Sequence, residues 1–152
     1  MKKILILAVG LFFVSCSTKQ KFIYYTYNNI TVSRLDKENH IFFYYGKIKN
    51  LNNLPKSYIE ATYSGFDGLV WGYLIFKENK NIEIKVLEGD FYKIGENSNI
   101  EIINEDNPDY INWHNKEKRN YDNVLEFRDV IKSETKVNKI NNSQVKVIYP
   151  IE

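Results

Sequence analysis

Ile82-Glu83-Ile84-Lys85-Val86-Leu87 is the stretch that decides the fold. Ile82, Ile84 and Val86 alternate with Glu83 and Lys85, a period of two that turns one face of a strand to a core and the other to water. One-sided burial is the mark of an antiparallel sheet. Around this stretch, Leu69 to Phe76, Phe91 to Ile94 and Ile100 to Ile103 are further apolar runs. The polar turns Lys77-Glu78-Asn79-Lys80-Asn81, Glu88-Gly89-Asp90 and Gly95-Glu96-Asn97-Ser98-Asn99 separate them. Connections this short join antiparallel neighbours, so the expected local topology is a meander. Gly72, between Trp71 and Tyr73, marks a strand bend or a close backbone approach.

Upstream, Phe22 to Tyr27, Ile30 to Ser33, His40 to Lys49 and Tyr58 to Tyr63 also read as strands. Turns fall at Asn28-Asn29, at Asp36-Lys37-Glu38-Asn39, in residues 50–56 around Pro55, and at Ser64-Gly65-Phe66-Asp67-Gly68. Ile41, Phe43 and Tyr45 share one face of their strand and Phe42, Tyr44 and Ile48 the other, so both sides of that strand require cover. Downstream, residues 104–123 are rich in Asn, Asp and Lys, and the segment is longer than a compact domain usually leaves without regular structure. It carries Tyr110, Trp113 and His114, which makes it a candidate recognition surface. Val124 to Ile131 reads as either a strand or a short helix: Val124, Phe127 and Ile131 fit helical spacing, Leu125, Phe127 and Asp129 fit strand spacing poorly, and the sequence does not separate the two. A last hairpin is expected from Lys136 through Asn141-Asn142 to Tyr149. Roughly ten short strands in one chain define an all-β domain, either an antiparallel meander closing into a barrel or a β-sandwich.

The first residues have a different character. Lys2 and Lys3 precede the apolar run Ile4 to Val14, which is too short for the roughly 20 residues that span a bilayer and has the layout of an export signal. The run ends at Ser15-Cys16, and Cys16 is the only cysteine. Phe13-Val14-Ser15-Cys16 resembles the lipobox of bacterial lipoproteins, with Phe13 where Leu is commoner. The resemblance implies cleavage before Cys16 and acylation there, so the expected organisation is a signal at 1–15, a lipidated tether at 16–21 and one β domain at 22–152. Several acyl chains on one residue hold a protein durably at a membrane. Ser17 and the lack of acidic residues in 17–21 imply, by the same resemblance, the outer membrane, facing the periplasm.

The order of strands and turns from Leu69 to Ile102, including Gly89-Asp90-Phe91-Tyr92-Lys93-Ile94, resembles the small lipocalin-like lipoproteins of Bacteroidetes-type bacteria. That likeness implies an up-and-down barrel and no particular activity. Ser64-Gly65 approaches the Ser-Gly-x-x-Tyr loop of periplasmic lysozyme inhibitors, but residue 68 is Gly and the likeness ends there.

Charge and composition remove several functions. The whole chain has 21 basic and 19 acidic residues. Cleavage before Cys16 discards Lys2 and Lys3 and leaves a neutral chain, which excludes nucleic acid as a partner. A lone cysteine forms no internal disulfide, and once acylated it is lost to redox and metal chemistry. His40 and His114 are the only histidines. Asp106, Asp109 and His114 lack any recognised metal spacing, and Glu105-Asp106-Asn107-Pro108-Asp109 is not a calcium loop. Gly-x-Ser-x-Gly is absent, which leaves Ser64 with His114, or paired carboxylates such as Glu60 and Asp67, as motif-free routes to hydrolysis. No catalytic, cofactor or metal residue is therefore assigned. Aromatic residues are 15% of the chain. Phe43, Tyr45, Trp71 and Tyr73 either line an interior that holds an apolar or sugar-like ligand or fill it as core, the commoner use in small barrels. Trp113 is the corresponding candidate in the long segment. The expected protein is a lipid-anchored envelope barrel, with the membrane as one partner and a small apolar ligand or an envelope protein as the other. A hydrolase and an assembly accessory are the alternatives.

Overall fold

The computed structural model describes residues 22–63, 68–96, 99–103, 122–130, 136–138 and 143–149. Trp113, His114, Cys16 and Ser64 lie outside them, as do most of the long Asn-rich segment and the expected Asn141-Asn142 turn. The described residues form an all-β domain whose ladders fall into two sheets. Sheet A contains β1 (Phe22–Tyr27), β2 (Ile30–Lys37), β3 (His40–Tyr45), β4 (Tyr58–Thr62), β7 (Asp90–Ile94) and β11 (Lys146–Ile148), in the order β11-β1-β2-β3-β4-β7. Sheet B contains β5 (Leu69–Phe76), β6 (Ile82–Glu88), β8 (Ile100–Ile103), β9 (Val124–Val130) and β10 (Lys136–Asn138), in the order β10-β9-β5-β6-β8.

Residue chemistry accounts for the local turns. Asn28 and Asn29 both take positive φ, +43° and +64°, which asparagine tolerates and which the tight β1-β2 turn requires. In the next turn Glu38 takes φ +57°, so β2 runs on to Lys37 before reversing. Period-two alternation then sets the layers. Tyr25, Val32, Ile41, Phe43, Ile59 and Ala61 from sheet A and Leu74, Phe76, Ile82, Ile84, Leu125 and Phe127 from sheet B form one buried core. The rings of Phe43 and Phe127 stand 5.3 Å apart and those of Phe91 and Phe127 6.2 Å apart.

As the alternation of β3 requires, Phe42 and Tyr44 face outward, with Phe22 and Leu35 beside them. A strap from Gly46 to Leu54 covers part of this outer face. Ser33 Oγ donates to the Gly46 carbonyl (2.6 Å) and accepts from the Ile48 amide (2.8 Å), while the Tyr24 hydroxyl donates to the Ile48 carbonyl (2.8 Å). Ile48, Leu51 and Leu54 pack onto the same cluster.

Two expected connections are corrected. The meander holds from β5 to β6 and then stops, because Gly89, at φ +104°, turns the chain across to sheet A, where β7 pairs with β4. The chain then returns, and β8 pairs parallel to β6. A short link can change sheets as well as reverse within one, and the excursion through β7 supplies the crossover that a parallel pair needs. The final hairpin is also absent: β10 pairs with β9 in sheet B, and β11 pairs with β1 in sheet A. Val124–Val130 is a strand, because its backbone pairs antiparallel with β5 in sheet B while Leu125, Phe127 and Asp129 all turn inward to the core. No ladder among the described residues joins the two sheets into a closed barrel, and the arrangement is compatible with a β-sandwich.

Gly72 shows both features read from its neighbours. Trp71 opposes Glu88 and Gly72 opposes Val86, so Leu87 is the extra residue of a bulge. A Cβ on Gly72 would stand 2.6 Å from the Lys85 carbonyl oxygen and 2.9 Å from Phe127 Cζ. Gly72→Ala should therefore lower the unfolding free energy by about 1–3 kcal/mol, the usual cost of overpacking, read as a lower urea midpoint with an unchanged slope.

Candidate functional site

The sequence candidates divide between opposite faces of different sheets. Phe43 is fully buried and Tyr45 partly buried, both on the inner face of sheet A. Trp71 and Tyr73 alternate with the core residues Val70, Gly72 and Leu74 and lie on the outer face of sheet B. Among the described residues, these opposed positions give the four no common face. Trp71 is held at β9, donating from Nε1 to Glu126 Oε1 (2.8 Å), with the Arg128 guanidinium 5.3 Å from its ring centre. Tyr73 packs with Ile75 and Val124. His40 meets Glu60 through Nδ1 and Oε1 at 2.6 Å and stacks on Phe42. Among the described residues no three His, Cys, Asp or Glu side chains converge as a metal site would require.

Sequence reasoning missed a charged cluster in the core. Ile30, Val32, Arg34 and Asp36 share one face of β2, so period two sends a guanidinium inward after two aliphatic residues. Arg34 is fully buried and joins both sheets. Its Nε and Nη2 donate to Asp36 Oδ1 (2.6 Å) and Oδ2 (2.9 Å), and its Nη1 donates to Asp129 Oδ2 (2.7 Å) of β9. The Tyr25 hydroxyl stands 3.5 Å from Nη1. Asp129 is 2% exposed, and its Oδ1 has no hydrogen-bond partner. Burial works against the charge on Arg34, but Tyr25, Asp36 and Asp129 outweigh it and keep its pKa well above the ordinary value. Burial pushes the Tyr25 hydroxyl up to about 12. The period of β2 was the available signal, but one sequence does not say which carboxylate will face the arginine.

The open site lies at one end of the domain. Register places the Asn28-Asn29 turn, the start of β4 and the end of β7 at one end of sheet A, with Phe22, His40, Thr62 and Asp90 at the other. In sheet B, Phe76, Ile82 and Val124 share an end. The Tyr27 and Phe76 rings, 6.0 Å apart, bring that end beside the Asn28-Asn29 turn. Between them is a cleft of about 420 Å³ lined by Tyr27, Asn28, Ile30, Phe76, Lys77, Glu78, Lys80, Asp122 and Asn123. Small-molecule sites commonly measure about 300–1,000 Å³.

Backbone bonds fix the walls of this cleft. Asn123 grips the end of β5, its carbonyl accepting from the Phe76 amide (2.9 Å) and its Nδ2 donating to the Phe76 carbonyl (2.7 Å). The Asp122 carbonyl accepts from the Gln144 amide (2.7 Å). In the β5-β6 turn the Lys77 amide donates to the Asn81 carbonyl (2.9 Å), and Lys77 Nζ pairs with Glu83 at 2.5 Å. Partial burial and a hydrogen bond to the Asp122 carboxylate push the Tyr27 hydroxyl pKa up. No protein-family model, curated protein or solved structure matches this chain.

Two outcomes follow from the buried charges. Arg34→Met should cost about 3–5 kcal/mol, because it strands Asp129 in the core, whereas Arg34→Met combined with Asp129→Leu should recover most of that loss; paired urea melts measure both. Tyr25 is neutral in the fold up to about pH 12 but ionises near pH 10 once unfolded. Its stabilisation is therefore complete below pH 10 and is lost as pH rises towards 12, by about 3 kcal/mol in all. Tyr25→Phe should flatten this part of the profile of urea midpoint against pH.

Proposed function

We propose that the chain is a bacterial lipoprotein, cut before Cys16, acylated there and held in the outer membrane, and that its sandwich-like β domain serves as a binding module facing the periplasm. The observation that carries this reading is the position of strand entry relative to the cleft. Residues 16–21 span at most about 20 Å when fully extended. They lead into Phe22, at the end of sheet A opposite the Asn28-Asn29 turn. The eight residues of β2 add about 25 Å in the other direction. An anchor at Cys16 therefore keeps the Phe22 end near the bilayer and presents the cleft outward, where an envelope partner or ligand can reach it.

Packing favours that end over the interior as the recognition surface. An apolar ligand between the sheets would have to displace Phe43, Phe91 and Phe127, whose rings already pack there. Mass spectrometry of the protein from its host, with membrane fractionation, tests the anchor. The mature chain should begin at Cys16, carry acyl glyceride and sediment with membranes, and Cys16→Ala should abolish the lipid and release or mislocalise the protein. A mature wild-type chain without lipid on Cys16 would sink the proposal.

A further inference from the structure

We propose that the cleft at the Asn28-Asn29 end binds a neutral, polyhydroxylated glycan. The inference rests on the reading of that end as the recognition surface, and it is independent of the lipid on Cys16.

Lys77 is committed to Glu83, which leaves Lys80 against Glu78 and Asp122 as the charged groups lining the cleft. The small surplus of carboxylate disfavours an anionic ligand. Asp122 already accepts from the Tyr27 hydroxyl, but a carboxylate has about four lone-pair sites, so together with Glu78 it still leaves more acceptors than donors, the complement of a ligand that brings many hydroxyl donors. Asn28 and Asn123 add amides that both donate and accept without charge. Asn28 is set by its positive φ of +43°, and Asn123 is held by its two bonds to Phe76.

The remaining lining is apolar and firm. Tyr27, Ile30 and Phe76 line the cleft, the two rings pack against each other, and Ile30 and Phe76 belong to the buried core. The partly exposed Tyr27 ring, backed by the buried Phe76 and Ile30 and set under a rim of amides and a carboxylate, suits a sugar, whose ring offers C–H groups on one face and hydroxyls at its edge. A purely apolar ligand would strand Asp122, Glu78 and Lys80 without water. Free oligosaccharide and envelope polysaccharide share this chemistry, and their sizes separate them experimentally.

Isothermal titration of the detergent-solubilised lipoprotein tests the proposal, with maltotriose, cellotriose and triacetylchitotriose as neutral probes and with putrescine and a sialylated trisaccharide as charged comparators. Sedimentation with insoluble cell-wall polysaccharide forms a second arm for the polymer. Saturable binding of a neutral probe is expected, weakened about tenfold or more by Asp122→Asn and by Asn28→Gly, which preserves the positive-φ turn. Trp71→Phe, on the outer face of sheet B, should leave binding unchanged, and thermal midpoints should show that all three variants fold. The proposal is overturned if no neutral probe binds at about 10 mM, if only a charged comparator binds, or if both cleft variants bind as wild type does. A lipidated protein that binds no glycan but captures an envelope protein would overturn this inference alone, and glycan binding by a chain without lipid would overturn the anchor alone.

Discussion

The guanidinium of Arg34 reaches from the inner face of sheet A to Asp129 of sheet B, and the rest of the fold is arranged around that contact. A buried ion pair adds little net stability over well-packed apolar residues, because desolvation of both charges offsets their attraction. Its effect here is selective. Slipping β2 or β9 by one residue would turn Arg34 or Asp129 to the opposite face and leave the other charge alone in the core. The pair therefore penalises the wrong registers far more than it rewards the right one. Asp36, 39% exposed, satisfies the other side of the guanidinium while remaining in contact with water.

With the register set, the two ends of the domain acquire different chemistry. The Phe22 end holds the Arg34 cluster and the Gly89 corner where the chain changes sheets. The Asn28 end is built from turns rich in asparagine and closes over an aromatic pair without filling the space above it. The proposed tether enters at the first of these ends, which is why the second is the one free to meet a ligand. Elsewhere the edge strand β7 carries Lys93 opposite Ile59, and a charge on the inner side of an edge blunts its tendency to pair with another chain.

Much of this was legible in the sequence. The strands from β5 to β8 were readable within a residue or two of their observed bounds, because Ile82, Ile84 and Val86 alternate cleanly and polar turns punctuate the runs. The two faces of β3 were equally plain. Gly72, between two aromatic residues, pointed to a strand bend or a close backbone approach, and the structure has a bulge opposite it and the Lys85 carbonyl against it. The candidate site was much less legible. Phe43, Tyr45, Trp71 and Tyr73 were recognisable as large aromatics, but which sheet and which face each would occupy depends on pairings between distant segments. Tyr27 and Asn28 attracted notice only as strand and turn residues, and Asp122 only as part of the 104–123 candidate recognition segment, because a cleft built from separated turns leaves no local pattern.

The sequence by itself determined the β class, most of the turn positions between strands, and the lysine pair and apolar run that end at Ser15-Cys16, because strand periodicity, turn preference and a hydrophobic run are properties of neighbouring residues. The tertiary structure alone decided that β7 leaves its neighbours for sheet A, that β8 lies parallel to β6, that the last two strands part company, and that Arg34 finds Asp129. Those outcomes turn on which distant surfaces bury each other and which buried charges are paired, and that balance is struck only once the whole core has assembled.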